Sequence, residues 1–442
     1  MGKRRHRGPP APMRPTPAPA RHSSASCVHQ VLFEATFLHL IVQFQDGVFL
    51  PLVPRYRAWS RAFLEPNGID DRAQRSLRLR SRGDARYVLH AAIVENELAL
   101  VGHLYRCRPA LFTHDAADLA AAHGHLRVLQ LLAELHIVGS ADALDLAATN
   151  GCFAVVKWLV QGKAVLATSA AVDGAATHGH LDIVKFLDRH GGFAATTAAM
   201  DGAVANRHDA ITKYLHAKRS EGCTTAAMDA AALHGDLAMV AFLHEHRHEG
   251  CTTQAMDQAA GHGFLPVVTY LHEHRLEGCT ASAMDEAAAA GHLDVVQFLH
   301  RHREEGCTSH ALDYAAKNGH LKVVQYLHAH ALATCSPLAV EFVAAAGGLE
   351  MLTYLHKSCK ALASPMALEL AARHGHVNLV KYMHEQGLVS GTPRAMELAI
   401  QFGHLGVVKY LHQQRVVKMS KTFMQVALAY QQQKILQFLR RK

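Results

Sequence analysis

A residue with a hydroxyl side chain recurs at one fixed point of a repeating unit along most of this sequence. Each step in this column is 28 residues, except the first step, which is 27. The twelve members are Thr113, Ser140, Thr168, Thr196, Thr224, Thr252, Thr280, Thr308, Ser336, Ser364, Thr392 and Ser420. Such a period is typical of an array in which each unit packs on its neighbours, so the 442 residues are not expected to divide into several globular domains.

Each unit has the sequence pattern of two helices. Ser followed by Pro, as in Ser364-Pro365, is typical of a helix N-cap, because the hydroxyl accepts an amide hydrogen and proline has none to leave unpaired. A glycine such as Gly291 then ends the first helix. The segment 291–303, GHLDVVQFLHRHR, predicts a second helix with one apolar face. That second helix is predicted to end at Gly222, Gly250, Gly278 or Gly306 in its respective unit.

Three further columns follow the same period. An acid five places after each of the first eleven hydroxyls, such as Asp229, is interpreted as helix-start charge that favours the helix dipole. An aromatic residue in each second helix, such as Phe298, is predicted to pack between units. Five cysteines are predicted to be small buried thiols without disulfides, because packed helices lie about 8–10 Å apart and a disulfide needs closer Cα atoms. They are Cys223, Cys251, Cys279, Cys307 and Cys335.

Histidine forms a ladder near the end of the second helices. Its members are His216, His244, His272, His300, His328, His356, His384 and His412, and a shorter column holds His190, His246, His274, His302 and His330. A row of metal ligands or a pH sensor are two functional interpretations. The structural interpretation is that each histidine complements the negative end of its helix and donates to free carbonyls. A flat profile of thermal stability between about pH 7.5 and about pH 5 would exclude the pH sensor.

The consensus TxxAMDxAAxxGHLxVVxFLH resembles the ankyrin repeat, whose signature combines a Thr-Pro-Leu-His start, an Ala-Ala pair and a Gly-His-Leu-x-Val-Val second helix. The resemblance covers residues 85–442 and implies an all-α, ankyrin-like helical solenoid of about 12–13 helix-turn-helix repeats. The unit departs from the family length of about 33 residues, and Asp or Glu replaces the signature histidine. The shorter unit predicts a tight loop in place of the β-hairpin finger, and both departures argue against protruding fingertips as the binding edge.

The remaining segments are assigned by composition. Residues 1–30, with six prolines and no acid, predict a disordered basic tail, and residues 71–84 predict a basic linker. Residues 31–70 predict a small helical segment, in which 31–63 faintly resemble an F-box without its leading Leu-Pro. The end of the array, residues 425–442, predicts a polar cap.

The distribution of charged and apolar residues argues against nucleic acid and membrane partners of the array. Residues 1–86 hold 15 Lys/Arg against 6 Asp/Glu, so the net charge of +8 leaves −1 for the rest, and a basic stripe along the array is not expected. A membrane span is not expected, because no long uncharged apolar window occurs. With no signal peptide and reduced thiols, the chain is expected to be intracellular, cytoplasmic and monomeric. The basic cluster Lys3–Arg7 is a candidate nuclear-import signal.

No catalytic, cofactor or metal site is predicted. His244-Glu245-His246-Arg247-His248 matches the HExxH zinc-protease motif. The corresponding segments of the next two units lack the second histidine, and the match falls where the helix is about to end, so the motif is interpreted as coincidental.

The predicted function is a non-catalytic scaffold that binds a protein partner along the concave face of the array. Binding is expected where units differ, since repeated positions are occupied with packing, and these positions share one face of the first helix. An ordinary solvated face is the alternative interpretation of the same variation. The candidate partner-binding residues are Gln258, His262, Glu286, Tyr314, Lys317, Asn318, Arg373, His374, Gln401 and Phe402. The alternative function is a substrate receptor of a ubiquitin ligase, joined to it through the F-box-like segment.

Overall fold

The computed structural model describes residues 52–64, 71–81, 84–162, 168–190, 193–417 and 420–440. Within these ranges the chain is helical and contains no β-strand. The predicted tail, residues 1–30, and the first part of the F-box-like segment lie outside the described residues. Within the part of the chain that is described, no helix has both the length and the apolar character needed to cross a bilayer.

The helices follow one another in pairs from α3 onward, each pair being one repeat with an odd-numbered first helix and an even-numbered second helix. They are α1 Val53–Leu64, α2 Asp71–Ser76, α3 Tyr87–Val94, α4 Leu98–Cys107, α5 His114–Ala122, α6 Leu126–Glu134, α7 Asp142–Thr149, α8 Phe153–Gln161, α9 Ala170–Thr177, α10 Leu181–His190, α11 Thr197–Ala205, α12 Asp209–Lys218, α13 Thr225–Leu233, α14 Leu237–His246, α15 Thr253–Gly261, α16 Leu265–His274, α17 Ala281–Ala290, α18 Leu293–His302, α19 Ser309–Lys317, α20 Leu321–Ala329, α21 Pro337–Ala346, α22 Leu349–Lys357, α23 Pro365–Arg373, α24 Val377–Glu385, α25 Pro393–Gln401, α26 Leu405–Gln413, α27 Lys421–Ala429 and α28 Gln433–Arg440. A short 3₁₀ helix, Pro109–Leu111, precedes α5. The thirteen pairs confirm the predicted repeated helical array.

Local sequence explains where a first helix begins and ends. Thr280 precedes α17 in an extended conformation, with φ −108° and ψ 175°, and its side chain accepts a hydrogen bond from the amide of Ser282. Gly291 follows the last residue of α17 with φ +87°, a left-handed conformation that glycine adopts without steric cost. The predicted N-cap and the predicted glycine stop are therefore both confirmed in this repeat.

The core of each repeat combines small residues on the first helix with branched residues on the second. In α15, Ala255, Ala259 and Ala260 are completely buried. The first helices of successive repeats contact one another, and alanine allows their backbones to approach closely. In α16, Val268 and Leu271 are buried against the same interior. Burial of such aliphatic side chains stabilises the array by roughly 1.5–3 kcal/mol each.

The second helices end earlier than the sequence predicts. Helices α12, α14, α16 and α18 end four residues before Gly222, Gly250, Gly278 and Gly306, so the expectation that these glycines terminate the helices is wrong. In α14 the residue after the helix, Arg247, is extended with φ −128°. Its guanidinium pairs with Glu249 in the loop that follows the helix.

The described contacts divide the chain into two units, residues 1–147 with 154–166, and residues 148–153 with 167–442. In the first unit, Arg55 of α1 forms ion pairs with Glu95 and Glu97, which follow α3. Arg78 lies near the carboxylates of Asp115, Asp118 and Asp142. The described part of the predicted linker therefore packs on the first repeats.

Two glycines in equivalent positions provide a test of the packing between repeats. A methyl group added to Gly291 would lie 2.5 Å from the ring of His320, whereas one added to Gly319, with φ +83°, would meet nothing within 4 Å. We expect Gly319→Ala to cost about 1 to 2 kcal/mol of backbone strain alone. We expect Gly291→Ala to cost at least about 1 kcal/mol more than Gly319→Ala, because the His320 ring of the next repeat must move to admit the methyl group. Urea unfolding followed by circular dichroism measures both variants.

The double variant Gly291→Ala with His320→Ala serves as the control, because it removes the clashing ring. Relative to His320→Ala alone, the glycine substitution should then cost no more than Gly319→Ala. Equal losses of stability for the two single glycine variants would contradict this description of the contact.

Candidate functional site

In most repeats the hydroxyl that starts the first helix is hydrogen-bonded on two sides. At Thr252, Oγ1 donates to Oδ2 of Asp229 in the preceding repeat over 2.8 Å, and the backbone N–H of Thr252 donates to Oδ1 over 2.8 Å. The same hydroxyl oxygen accepts the amide hydrogen of Gln254 over 3.2 Å. One side chain therefore caps its own helix and binds the helix before it.

This bridge recurs along the array, and it corrects the role predicted for the acid column. The carboxylates accept hydrogen bonds from the next repeat, so they link repeats and do not merely complement the helix dipole. Aspartate accepts both bonds in the pairs Asp118–Ser140, Asp173–Thr196, Asp201–Thr224, Asp229–Thr252, Asp257–Thr280, Asp285–Thr308 and Asp313–Ser336. Glutamate accepts the hydroxyl in the pairs Glu341–Ser364 and Glu369–Thr392.

Two positions of the column depart from the cap geometry. Thr113 precedes α5 but makes no side-chain cap hydrogen bond. Helix α9 begins one residue later than predicted, with Ser169 at the N-cap instead of Thr168. The hydroxyl cap is thus regular from Thr196 onward, where every first helix has one.

The loops between repeats form a second polar link. Glu277 pairs with Arg275, and its carboxylate accepts the backbone N–H of Cys251 over 3.3 Å. Burial alone would raise the pKa of Glu277, but these hydrogen bonds lower it to about 2. Burial raises the pKa of the Cys251 thiol to about 11, so this sulfur is protonated at neutral pH and is a poor nucleophile.

The predicted burial of the periodic cysteines is confirmed for part of the column. Cys223, Cys251 and Cys279 are buried, whereas Cys307 and Cys335 are half-buried, and all five are free thiols. Burial also raises the pKa of Cys335, to about 12. These thiols therefore act as small packing groups.

The main histidine ladder links repeats, which differs from its predicted role at the helix end. His300 Nδ1 lies 2.8 Å from the hydroxyl of Tyr326 in the next second helix. The equivalent pairs are His328–Tyr354, His356–Tyr382 and His384–Tyr410. In the shorter column, by contrast, His246 Nδ1 donates to the carbonyl of Phe242 over 2.9 Å. His190, His274 and His330 make the equivalent bond, so the predicted donation to helix-end carbonyls holds for four of the five members of the shorter column.

Earlier members of the ladder lack this bond. The buried Nδ1 atoms of His216, His244 and His272 have no hydrogen-bond partner. His216 packs edge-on against Phe242, which has no hydroxyl to offer. Burial, then the neighbouring His246 and Arg247, lower the pKa of His216 below its ordinary value. Because the folded pKa is depressed, the contribution of this ring to stability is complete above the unfolded pKa and decreases as pH falls.

The histidine of the Gly-His-Leu segment forms a further link between repeats. His404 Nε2 donates to the carbonyl of Arg373 at the end of the preceding first helix, over 2.8 Å. Gln432 takes the same position in the last described repeat and donates to the carbonyl of Gln401 over 3.2 Å. These bonds satisfy carbonyls that a helix end leaves unpaired.

Neither candidate for metal chemistry is supported by the geometry. Helix α14 ends at His246, so His248 of the HExxH match lies beyond the helix and cannot share a face with His244. His114, Asp115 and Asp118 have ligand atoms close together. Arg86 contacts Asp115, and Ser140 donates to Asp118, so these carboxylates are already engaged.

Four of the predicted partner-binding residues form two exposed pairs of a cation and an aromatic ring. Lys317 Nζ lies 5.3 Å from the ring centre of Tyr314 and 5.1 Å from that of Phe342 in the next first helix. Arg373 lies 5.1 Å from the ring centre of Phe402. Tyr314 and Phe402 are 38% and 45% exposed.

The other predicted residues lie on or next to the first helices α15 to α25, and some of them are engaged in local hydrogen bonds. Asn318 Nδ2 donates to the carbonyl of Ala289 over 2.7 Å, and His262 Nδ1 donates to the carbonyl of Gln258 over 2.9 Å. Gln258 and Gln401 are half-buried, while His262, Glu286, Asn318 and His374 are exposed. The structure therefore brings together Tyr314 with Lys317 and Arg373 with Phe402, and leaves the rest spread along the array.

Two exposed residues were missed by the sequence analysis. Leu338 and Met366 are 49% and 50% exposed near the start of α21 and α23. Each stands two places after the hydroxyl, where other repeats carry a polar or small residue such as Gln254 or Ser282. That change from polar to apolar within one column is the signal that could have identified them.

Comparison with known proteins supports the repeat type. Residues 284–328 match the family model of ankyrin repeats in many copies. No curated protein matches the sequence. Two solved structures of the pentatricopeptide repeat protein PPR10 in complex with an 18-nt psaJ RNA element are similar at 10% identity and a TM-score of 0.43, covering 80% of this chain and 63% of that chain. PPR10 from maize matches at 10% identity and a TM-score of 0.23, over 84% of this chain and 71% of the other. The chain thus spans just under two thirds of the first two structures.

Substitutions at Thr252 separate helix capping from the link between repeats. We expect Thr252→Ser to retain stability and Thr252→Val to lose about 1 to 3 kcal/mol, because the Asp229 carboxylate loses its donor. Aspartate is also a good N-cap, but it cannot donate a hydrogen bond, so Thr252→Asp should destabilise the array as well. Urea unfolding measures each variant.

Adding Asp229→Asn to Thr252→Asp should restore part of the loss, since an amide can donate to the introduced carboxylate. Wild-type stability of Thr252→Asp would show that the hydroxyl acts as a cap alone, and would contradict the bridge.

Proposed function

We propose that this array of ankyrin repeats is a non-catalytic scaffold that binds a protein partner through the exposed face of its first helices. The side chains that repeat from unit to unit are used in contacts between units, as Thr252, Asp229 and His300 illustrate. What varies between units, such as Tyr314 and Phe402, is exposed. Variable exposed positions on a regular scaffold are where a specific partner is recognised.

The exposed aromatic residues are the observation that carries this proposal. Tyr314, Phe342 and Lys317 come from two successive first helices and form one cluster. Tyrosine, phenylalanine and arginine are enriched at protein interfaces. The aromatic rings bury a large area with few rotatable bonds, and the planar guanidinium of arginine offers several hydrogen-bond donors. A contiguous exposed group of this kind marks an interaction site more often than single exposed side chains do.

The non-catalytic part of the proposal rests on how the reactive side chains are used. The periodic thiols have raised pKa values, such as about 11 for Cys279. The periodic carboxylates accept hydrogen bonds from helix caps, as Asp257 does from Thr280. A general base or a nucleophile must be free to reach a substrate, and these groups are committed to contacts between repeats.

The free thiols also favour a reducing compartment. Eight cysteines in the described part of the chain are free. Reduced thiols are typical of proteins inside the cell, so the proposed scaffold acts in the cytoplasm, with the Lys3–Arg7 cluster as its candidate nuclear-import signal.

Affinity purification of the full chain tests the proposal. We expect a protein partner to be recovered with the wild type and lost with the double variant Tyr314→Ala and Phe402→Ala, because both exposed rings leave the face. The matched control is Gln325→Ala, an exposed position on the second helix α20, which should retain the partner. Quantitative mass spectrometry measures the recovered proteins.

Unchanged recovery with the double variant, together with loss in Gln325→Ala, would contradict binding at the first helices. Recovery of a Skp-type adaptor that disappears on deleting residues 31–66 would instead favour the ubiquitin-ligase alternative.

A further inference from the structure

We infer that the first-helix face from α19 to α25 is a docking surface for an acidic protein segment that carries apolar side chains. This inference rests on the proposed function and narrows it to one part of the array and one chemistry of partner.

The surface is built from positions that share one face of the first helices. Residues two, six and nine or ten places after the hydroxyl cap follow one another at the spacing of helical turns. On this face lie Tyr314 of α19, Leu338 and Phe342 of α21, Met366 of α23, and Phe402 just after α25. Four of them are exposed apolar groups, and Phe342 packs 5.6 Å from Tyr314 between ring centres. Successive first helices contact one another here, so the face is continuous.

The repeats just before α19 do not carry large apolar side chains at these positions. At the second position after the cap they carry Ala226, Gln254 and Ser282. At the sixth position they carry Gln258 and Glu286, in place of the aromatic residues of α19 and α21. The apolar surface therefore begins at α19, which is a boundary that regular packing of the array does not require.

The uncommitted charges on this surface are positive. The carboxylate of Asp313 accepts from Ser336, and that of Glu341 accepts from Ser364. Likewise Glu369 accepts from Thr392, and Glu397 pairs with Arg394. By contrast, Lys317 and Arg373 are exposed and lie over aromatic rings without a carboxylate partner.

Charge complementarity therefore selects an acidic partner. A carboxylate brought to Lys317 or Arg373 gains a charge-assisted contact, while its apolar neighbours cover Leu338 and Met366. The basic N-terminal segment of this chain, residues 1–30, has no acid to offer and would be repelled.

A nucleic acid fits this surface less well. Affinity for a phosphate backbone grows with the number of cations that contact it, and this face presents two unpaired ones, Lys317 and Arg373. The rings of Tyr314 and Phe402 lie under those cations and are not open platforms for bases. Exposed aliphatic groups at Leu338 and Met366 suit the side chains of a protein.

Selection of displayed random peptides on the full chain tests the inference, with affinities of the enriched peptides measured by fluorescence anisotropy. We expect the enriched peptides to be acidic and to carry leucine or aromatic residues. The double variant Lys317→Glu and Arg373→Glu should bind them at least about tenfold more weakly, because like charges then face one another. Lys317→Arg should bind within about twofold, because the positive charge is kept.

Lys322→Glu is the matched control, because this exposed lysine lies on α20 of the same repeat but on the second helix. It should leave the affinity unchanged. Leu338→Glu is a second variant at an exposed position, and it should also weaken binding of an acidic peptide. Thermal melting of each variant, followed by circular dichroism, confirms that the array is folded.

Enrichment of basic or uncharged peptides would overturn the inference, as would equal binding after charge reversal. With either result the array would still bind a peptide, but not through an acidic segment on this face. The proposed scaffold function would then stand while the inference fails. If no peptide is enriched and oligouridine RNA binds in a manner that depends on Lys317 and Arg373, both the inference and the proposed function are overturned.

Discussion

The hydroxyl at the start of each first helix is the interaction on which the array depends. Its oxygen accepts an amide hydrogen from its own helix, and its hydrogen goes to a carboxylate of the preceding repeat, as at Thr280 with Ser282 and Asp257. A carboxylate or an amide at this position would cap the helix, but only a hydroxyl donates and accepts through the same atom. This requirement explains why serine and threonine occupy the column to the exclusion of aspartate and asparagine.

The same bridge determines which groups remain free to bind. The acid column is committed to the next helix cap, the Gly-His-Leu histidines bind the preceding helix end, and the loop glutamates bind both an arginine and a backbone amide. Few polar side chains of the periodic columns are therefore left to bind a ligand. Recognition therefore falls to positions that the bridge does not use, and in α19 to α25 these positions carry exposed aromatic, aliphatic and cationic side chains.

Much of the fold could be predicted from the sequence, because its main signals are local. The period, the hydroxyl caps and the left-handed glycines such as Gly291 all act within a few residues, and the helix pairs follow from them. The role of the acid column could not be predicted, since Asp229 meets Thr252 only once the repeats stack. The ends of the second helices were mispredicted as well, because the extended loop in which Arg247 pairs with Glu249 leaves no signal in the glycine spacing. Of the candidate site, Tyr314, Lys317, Arg373 and Phe402 were predicted from variation alone, and their pairing required the structure.

Site-specific photo-crosslinking in cells tests the central claim most directly, which is that repeated residues hold the array together and the face from α19 to α25 binds a protein. A photoreactive amino acid at Leu338 or Met366 reports on this face. The same group at Gln325 reports on the second helices. Gln325 lines an open depression between α20 and α22, so a partner that binds the second helices would be crosslinked there. The account predicts covalent adducts with a protein at Leu338 and Met366 and none at Gln325. Adducts at Gln325 without adducts at the other two positions would contradict it.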